Sequence, residues 1–143
     1  SNNPTGEVRQ GAGARGEKFI AAIEPMHGNQ LSIYTAVNGE KLWSRNVITD
    51  SLDQGHALAT GDFLGTGSDQ IVVGWRGTRR TGKVGVKLFY PTDKKRTKWK
   101  IQLIDDNEMA TEDIRVADLN ADGKPDIVAA GRATHNLKIY FNE

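Results

Sequence analysis

The chain repeats itself, and this feature constrains its fold more than any other. Residues 59–76, ATGDFLGTGSDQIVVGWR, align without a gap on residues 115–132, RVADLNADGKPDIVAAGR. The alignment pairs Asp62 with Asp118, and Arg76 with Arg132. An internal repeat of roughly fifty residues indicates one supersecondary unit that recurs and packs against its neighbours.

Short segments rich in β-branched and aromatic residues follow one another along the chain, separated by Gly, Asn, Asp and Pro. No window keeps the i, i+3, i+4 apolar stripe of a surface helix. We therefore predict an all-β fold without helices. The predicted strands are residues 19–24, 31–36, 42–48, 57–63, 71–76, 84–90, 99–104, 114–119, 127–131 and 137–141. Residues 1–18 are polar and rich in Gly, so we predict a flexible N-terminal lead-in there.

The unit length and strand count are typical of a β-propeller blade with four antiparallel strands. We predict a partial propeller of about two and a half blades. It comprises a partial blade over residues 19–55, a complete blade over 56–110 and a partial blade over 111–143. An antiparallel sandwich also explains the strands, but it does not explain the gapless repeat. Since propellers close with about four blades or more, we expect the ring to need remaining blades or other copies of the chain.

The segment DLNADGKPD, residues 118–126, places oxygen donors at alternate positions before an apolar strand. Hard oxygen ligands in a tight turn suit Ca²⁺. The predicted ligands are Asp118, Asn120, Asp122, the backbone carbonyl of Lys124, and Asp126. An EF-hand is excluded because its twelfth position is Ala129. The alternative is a plain turn of turn-forming residues with solvated carboxylates.

The aligned loop, residues 62–70, is an internal comparison for the calcium prediction. It keeps Asp62, but Thr66 stands where the other loop has Asp122, and Gln70 where it has Asp126. With one carboxylate left in register, this loop is not expected to bind calcium.

Residues 60–76, TGDFLGTGSDQIVVGWR, and residues 117–132, ADLNADGKPDIVAAGR, together resemble the FG-GAP/VCBS repeat, the calcium-binding blade of integrin α-chain propellers and of many secreted bacterial proteins. The resemblance implies a propeller whose Asp-rich loop joins the first two strands of a blade, and a secreted, extracellular or periplasmic location. GRATHNLKIYFNE, residues 131–143, is similar to segments of propellers related to aldos-2-ulose dehydratase, a sugar lyase. That weaker resemblance implies that His27, His56, Arg132 and His135 are candidates for ligand binding or proton transfer.

Composition excludes several classes of function. The chain has 143 residues, a formal net charge of +1 and no cysteine. Disulfides, thiolate zinc sites and cysteine nucleophiles are therefore excluded, and the near-neutral charge gives no reason to expect nucleic-acid or membrane partners. No apolar stretch approaches the roughly 18 residues of a membrane span. The basic run between residues 94 and 100 is interpreted as a solvated strand edge.

Polar connections follow the second strand of each unit, and they should meet at one rim. Their side chains, with those of the connections between units, are Glu24, His27, His56, Arg76, Arg79, Arg80, Lys83, Glu108, Glu112, Arg132 and His135. We predict a calcium-stabilised binding or scaffold module that presents this rim to a carbohydrate or protein ligand, with sugar acids, carboxylates and phosphates as candidate groups. The alternatives are a fragment of a sugar-cleaving lyase and an adhesion module.

Overall fold

The computed structural model describes residues 4–143, which form eleven strands and no helix. The strands are β1 (Val8–Ala12), β2 (Lys18–Glu24), β3 (Gln30–Thr35), β4 (Ser44–Thr49), β5 (Gly55–Gly61), β6 (Gln70–Trp75), β7 (Gly85–Pro91), β8 (Trp99–Asp106), β9 (Thr111–Ala117), β10 (Asp126–Gly131) and β11 (Asn136–Tyr140). Within this range there is thus no helix long and apolar enough to cross a membrane.

The strands form three antiparallel sheets in which consecutive strands are neighbours. The first sheet contains β1 to β4, the second β5 to β8 and the third β9 to β11. Every pair in the three sheets is antiparallel. The predicted all-β, antiparallel class is confirmed.

Strand β1 corrects the prediction for the start of the chain. The flexible lead-in of residues 1–18 was wrong for Val8–Ala12, which pairs with β2 and gives the first sheet four strands. Residues 1–3 lie outside the described part. The segment has no apolar alternation, and its place depends on partners elsewhere in the fold. Its Gly11 leaves room for the ring of Phe19, and the backbone N–H of Ala12 donates to Asp69 Oδ2 at 2.7 Å.

The second sheet lies between the other two, and an apolar core fills each interface. All six residues of β6 are buried, with Ile71 and Val73 in the first core and Val72 in the second. The first core joins the first and second sheets and contains Phe19, Ala21, Ile23, Leu31, Ile33, Leu52, Leu58, Ile71, Val73, Trp75 and Phe89. The second core joins the second and third sheets and contains Ala57, Ala59, Phe63, Val72, Val86, Leu88, Met109, Ile114, Ile127 and Ala129.

Gly74 of β6 allows the third sheet to approach closely. A Cβ atom at this position would lie 2.4 Å from the Cβ atom of Thr111 on β9. The aligned residue in the third sheet is Ala130, which is only partly buried. The small residue is therefore required where one sheet packs on the next.

Apolar side chains of β11 are exposed on the outer face of the third sheet. Leu137 and Ile139 are 64% and 44% exposed, whereas the matching β7 residues Val86 and Leu88 are 0% and 4% exposed. Among residues 4–143, β11 pairs with β10 alone. The third sheet thus lacks, in the described part of the chain, both the fourth strand and the covering sheet that the second sheet has.

Because the sheets are meanders, their connections alternate between two ends of the stack. One end, which we call the rim end, holds the β2–β3, β4–β5, β6–β7, β8–β9 and β10–β11 connections. The loop end holds residues 62–70 and 118–126, and there Asn142 Nδ2 donates to the carbonyl oxygen of Phe63 at 2.8 Å. The rim residues and the Asp-rich loop therefore lie at opposite ends.

Candidate functional site

Residues from all three sheets meet at the rim end. The ring of His27, from the β2–β3 connection, stacks on that of His56 in β5, with centroids 4.4 Å apart and planes 18° from parallel. His56 Nδ1 lies 2.8 Å from the carbonyl oxygen of Glu112 in β9. A carbonyl oxygen only accepts hydrogen bonds, so Nδ1 carries the proton. In the neutral ring the lone pair is then on Nε2, 3.7 Å from Glu112 Oε1.

Glu112 is held in its ionised form by Arg76, which follows β6. Arg76 Nη1 donates to both carboxylate oxygens, at 2.6 and 2.7 Å. This hydrogen bond lowers the pKa of Glu112, and the charges of His56, Arg76 and Arg132 add to the effect against the opposing effect of burial. The pair joins the second and third sheets and leaves a carboxylate in the rim.

A cleft of about 400 Å³ opens beside this pair. Its lining residues are Gln54, Arg76, Ala110, Glu112, Arg132, Ala133 and His135. Within residues 4–143, the side chains of Gln54, Arg132 and His135 make no hydrogen bond or ion pair. Three groups able to bind a polar ligand therefore face one cleft without a protein partner.

The sequence prediction placed eleven residues at the rim, and in the structure only some of them lie at or beside the cleft. The four candidates from the weaker resemblance are all near the cleft: His27 and His56 in the stack, Arg132 and His135 in the lining. Two others pair elsewhere: Lys83 Nζ donates to Asp106 Oδ1 at 3.0 Å, and Glu108 accepts a hydrogen bond from Lys138 Nζ.

Glu24 belongs to a different cluster, buried on the first sheet. Its carboxylate accepts hydrogen bonds from Tyr34 and from Arg45 Nε, the latter at 2.8 Å. Burial raises the pKa of Glu24, but these hydrogen bonds outweigh it, and the pKa is lowered. The prediction that Glu24 presents its charge at an open rim was therefore wrong, because Arg45 lies across the sheet and covers it.

The sequence analysis missed Gln54, Ala110 and Ala133 as lining residues. Gln54 belongs to no motif, and its left-handed backbone (φ +51°) is set by contacts. Its carbonyl oxygen accepts from the N–H of Arg76 at 3.2 Å. No signal in the sequence identifies such a position.

The Asp-rich loop at the opposite end is a tight turn. Asp118 Oδ2 accepts from the N–H of Gly123 at 2.9 Å, and Asn120 Nδ2 donates to Asp122 Oδ2 at 3.1 Å. Gly123 has φ of +84°, which the turn requires. Asp118, Asn120 and Asp122 are exposed around the turn.

Asp126 differs from the other predicted ligands, because it is fully buried. Its Oδ2 accepts from the N–H of Leu119 and its Oδ1 from that of Asn142, both at 2.9 Å. Over residues 4–143, no three His, Cys, Asp or Glu side chains gather as a group that could hold a metal ion.

The aligned loop, residues 62–70, keeps Asp62 but lacks the other aligned carboxylates, and it shows which group binds the turn oxygens there. The side-chain amide nitrogen of Gln70 donates to Asp62 Oδ1 at 3.5 Å, to Thr66 Oγ1 at 3.1 Å and to the carbonyl oxygen of Ser68. These three acceptors align with Asp118, Asp122 and the carbonyl of Lys124. The amide donor thus occupies the point on which the oxygens of the turn converge.

No protein-family model matches the chain, and no curated protein is detectably similar to it. The class of protein that the structure itself defines is an antiparallel, all-β stack of three sheets with an open polar cleft at one end.

Proposed function

We propose that the chain is an arc of a β-propeller of the FG-GAP/VCBS type and serves as an extracellular or periplasmic binding module whose rim end takes a carbohydrate. One observation carries the proposal. His56 contacts both His27 and Glu112, so residues of three separate sheets meet beside an open cleft. Ligand sites of stacked-sheet proteins are built from connections that converge in this way.

The lining of the cleft supports a hydroxylated ligand. Sugar hydroxyl groups both donate and accept hydrogen bonds, and the cleft offers the Glu112 carboxylate, the Arg132 guanidinium and the Gln54 amide. Ala110 and Ala133 add small apolar surfaces against which the C–H face of a sugar ring can pack.

The exposed face of the third sheet supports the propeller interpretation. Leu137 and Ile139 hold the places that Val86 and Leu88 hold in the second sheet, where the next sheet buries them. A ring would cover this face with a further sheet, from remaining blades or from another copy of the chain.

We further propose that the turn at residues 118–126 binds Ca²⁺ in a structural role. The residues present fit the ion: Asp118, Asp122 and the Lys124 carbonyl align with the three oxygens that bind the Gln70 amide in the other loop. Asn120 adds a fourth oxygen. The ion would supply positive charge between carboxylates that otherwise repel each other. Asp126, with both oxygens already bound to backbone N–H groups, would mainly shape the turn.

Saccharide binding tests the function directly. We expect immobilised oligosaccharides to retain the protein, and Glu112→Gln to weaken the affinity at least about tenfold, because it removes the charge that orients Arg76. Asp113→Asn, at the neighbouring exposed position of β9, is the matched control and should bind like the wild type. Absence of binding to neutral and acidic saccharides alike would refute the proposal.

A sugar lyase is the second candidate function, favoured by the position of His56. Its Nε2 atom lies 3.7 Å from Glu112 Oε1 in the cleft wall, where an imidazole can exchange a proton with a bound sugar. The ultraviolet spectrum of the protein mixed with an oligosaccharide distinguishes the two functions. Elimination produces an unsaturated sugar whose ultraviolet absorbance grows with time, whereas binding alone leaves the spectrum constant.

A further inference from the structure

The charges around the cleft do not balance. Glu112 is neutralised by Arg76, whose Nη1 touches both of its oxygens. Arg132 lines the same cleft and has no carboxylate partner within residues 4–143. Arg76, Arg132 and Glu112 therefore give the lining one net positive charge, with Gln54 and His135 beside it as further hydrogen-bonding groups.

We propose that the cleft binds a sugar that carries a single carboxylate, such as a uronic acid residue. This inference rests on the proposed carbohydrate-binding function and narrows its ligand class. The planar guanidinium of Arg132 matches a carboxylate through two parallel hydrogen bonds. Gln54, His135 and Glu112 are then left for the ring hydroxyl groups.

Glu112 limits the net positive charge of the cleft. It is ionised, since the Arg76 hydrogen bond lowers its pKa, and it forms part of the cleft wall. With Glu112 paired to Arg76 and Arg132 beside them, these three side chains carry one net positive charge, which a carboxylate monoanion neutralises and a phosphate dianion exceeds. A sugar monoanion can instead pair its carboxylate with Arg132, while its hydroxyl groups donate hydrogen bonds to Glu112.

The parts of the chain that carry the binding groups are fixed in place. Gln54 is held by the hydrogen bond from Arg76 N–H, and the next residue, Gly55, donates to the carbonyl oxygen of Gly28 at 2.9 Å. The turn with Arg132 and His135 is tied to the β8–β9 connection, because Asn136 Nδ2 donates to the carbonyl oxygen of Glu108 at 2.8 Å. A preformed cleft loses little entropy on binding.

Calorimetric titration tests this inference with galacturonate and glucuronate against galactose and glucose. The uronates should bind at least about tenfold more tightly than the neutral sugars, and added salt should reduce this difference. Arg132→Gln should weaken uronate binding by about ten- to hundredfold, and Arg132→Lys should restore only part of it. Arg115→Gln, on the exposed face of β9, is the matched control and should change neither.

The outcomes separate the inference from the proposed function. Equal affinity for acidic and neutral sugars would overturn the inference and leave carbohydrate binding intact. Tighter binding of inorganic phosphate than of uronate would also overturn it. Failure of every saccharide to bind would refute both the inference and the proposed carbohydrate-binding function. Arg132 is exposed and has no partner, so an unchanged melting temperature of Arg132→Gln shows that the effect is local.

Discussion

Single carboxylates, each held by several donors, join the sheets of this molecule. Asp105 of β8 is buried and accepts hydrogen bonds from Lys138 Nζ at 2.9 Å and from the Tyr140 hydroxyl at 2.8 Å, both on β11. Burial raises its pKa, but these donors outweigh that effect and hold it below its usual range. The pKa of Tyr140 is raised by burial and by its bond to this carboxylate.

We expect Asp105→Asn to lower the free energy of unfolding by about 2–4 kcal/mol at pH 7, because it removes the buried negative charge that pairs with Lys138 and one of the two acceptor oxygens. Since the folded pKa of Asp105 is lowered, its contribution is present above the ordinary aspartate pKa, near 4, and is lost as the pH falls through the lowered value. Urea unfolding at pH 7 and pH 3 should show the variant and the wild type converging in acid.

Asp106→Asn is the control for this prediction. Asp106 pairs with Lys83 on the exposed surface, where an ion pair contributes little to stability. An equal loss of stability in both variants at pH 7 would contradict the role assigned to Asp105.

Arg96 shows how far one residue can depart from its sequence context. The basic run at residues 94–100 was interpreted as a solvated edge, yet Arg96 is buried, with its guanidinium 4.2 Å from the centre of the Phe19 ring. It donates to the carbonyl oxygens of Ala12 and Asp69, both at 3.1 Å. The prediction was wrong at this one position, because Arg96 joins the first and second sheets.

The two aligned loops form the same turn, but different side chains occupy its matching positions. In residues 62–70 the Gln70 amide binds the turn oxygens, whereas residues 118–126 offer carboxylates at the matching positions. A neutral donor and a cation are alternative ways to gather the same oxygens. This comparison predicts calcium dependence for the loop between β9 and β10 and not for the loop between β5 and β6.

We expect chelation by EGTA to lower the melting temperature by roughly 5–10 °C relative to millimolar Ca²⁺, because an ion bound only by the folded state stabilises it. The Asp122→Ala variant should have the same melting temperature with EGTA and with millimolar Ca²⁺. Thr66→Ala, at the aligned position of the other loop, should keep the calcium-dependent shift. Identical melting of the wild type with and without chelator would argue against the site.

At the scale of the whole molecule, burial depends on the place of a sheet in the stack. Leu88 and Ile139 hold matching positions on β7 and β11, but the third sheet covers Leu88 and no described residue covers Ile139. The same side-chain position is therefore core in one sheet and surface in the next.

We expect Leu88→Ala to lower the free energy of unfolding by about 2–4 kcal/mol, since it leaves a cavity in the second core. Ile139→Ala should cost less than about 1 kcal/mol because its side chain already contacts solvent. Denaturant unfolding of the two variants gives the comparison. An equally large loss for Ile139→Ala would mean that this face is covered in solution, and light scattering would then give the size of the assembly.

The amino-acid sequence by itself determined the class of the fold and most of its strands. Alternating apolar residues bounded by turn formers specify strands locally, and the gapless repeat specifies that neighbouring units pack alike. The Asp-rich turn and the residues His56, Arg132 and His135 could be singled out for the same reason, because residue type and spacing alone identify them.

The tertiary structure alone decided which of these residues meet. β1 carries no apolar pattern and forms because β2 and Asp69 offer it partners. Arg132 and Glu112 line one cleft because of sheet packing, since the contact between Arg76 and Glu112 joins residues far apart in the chain. Local sequence encodes backbone preference, whereas contacts and counter-charges depend on what the whole fold brings within a few ångströms.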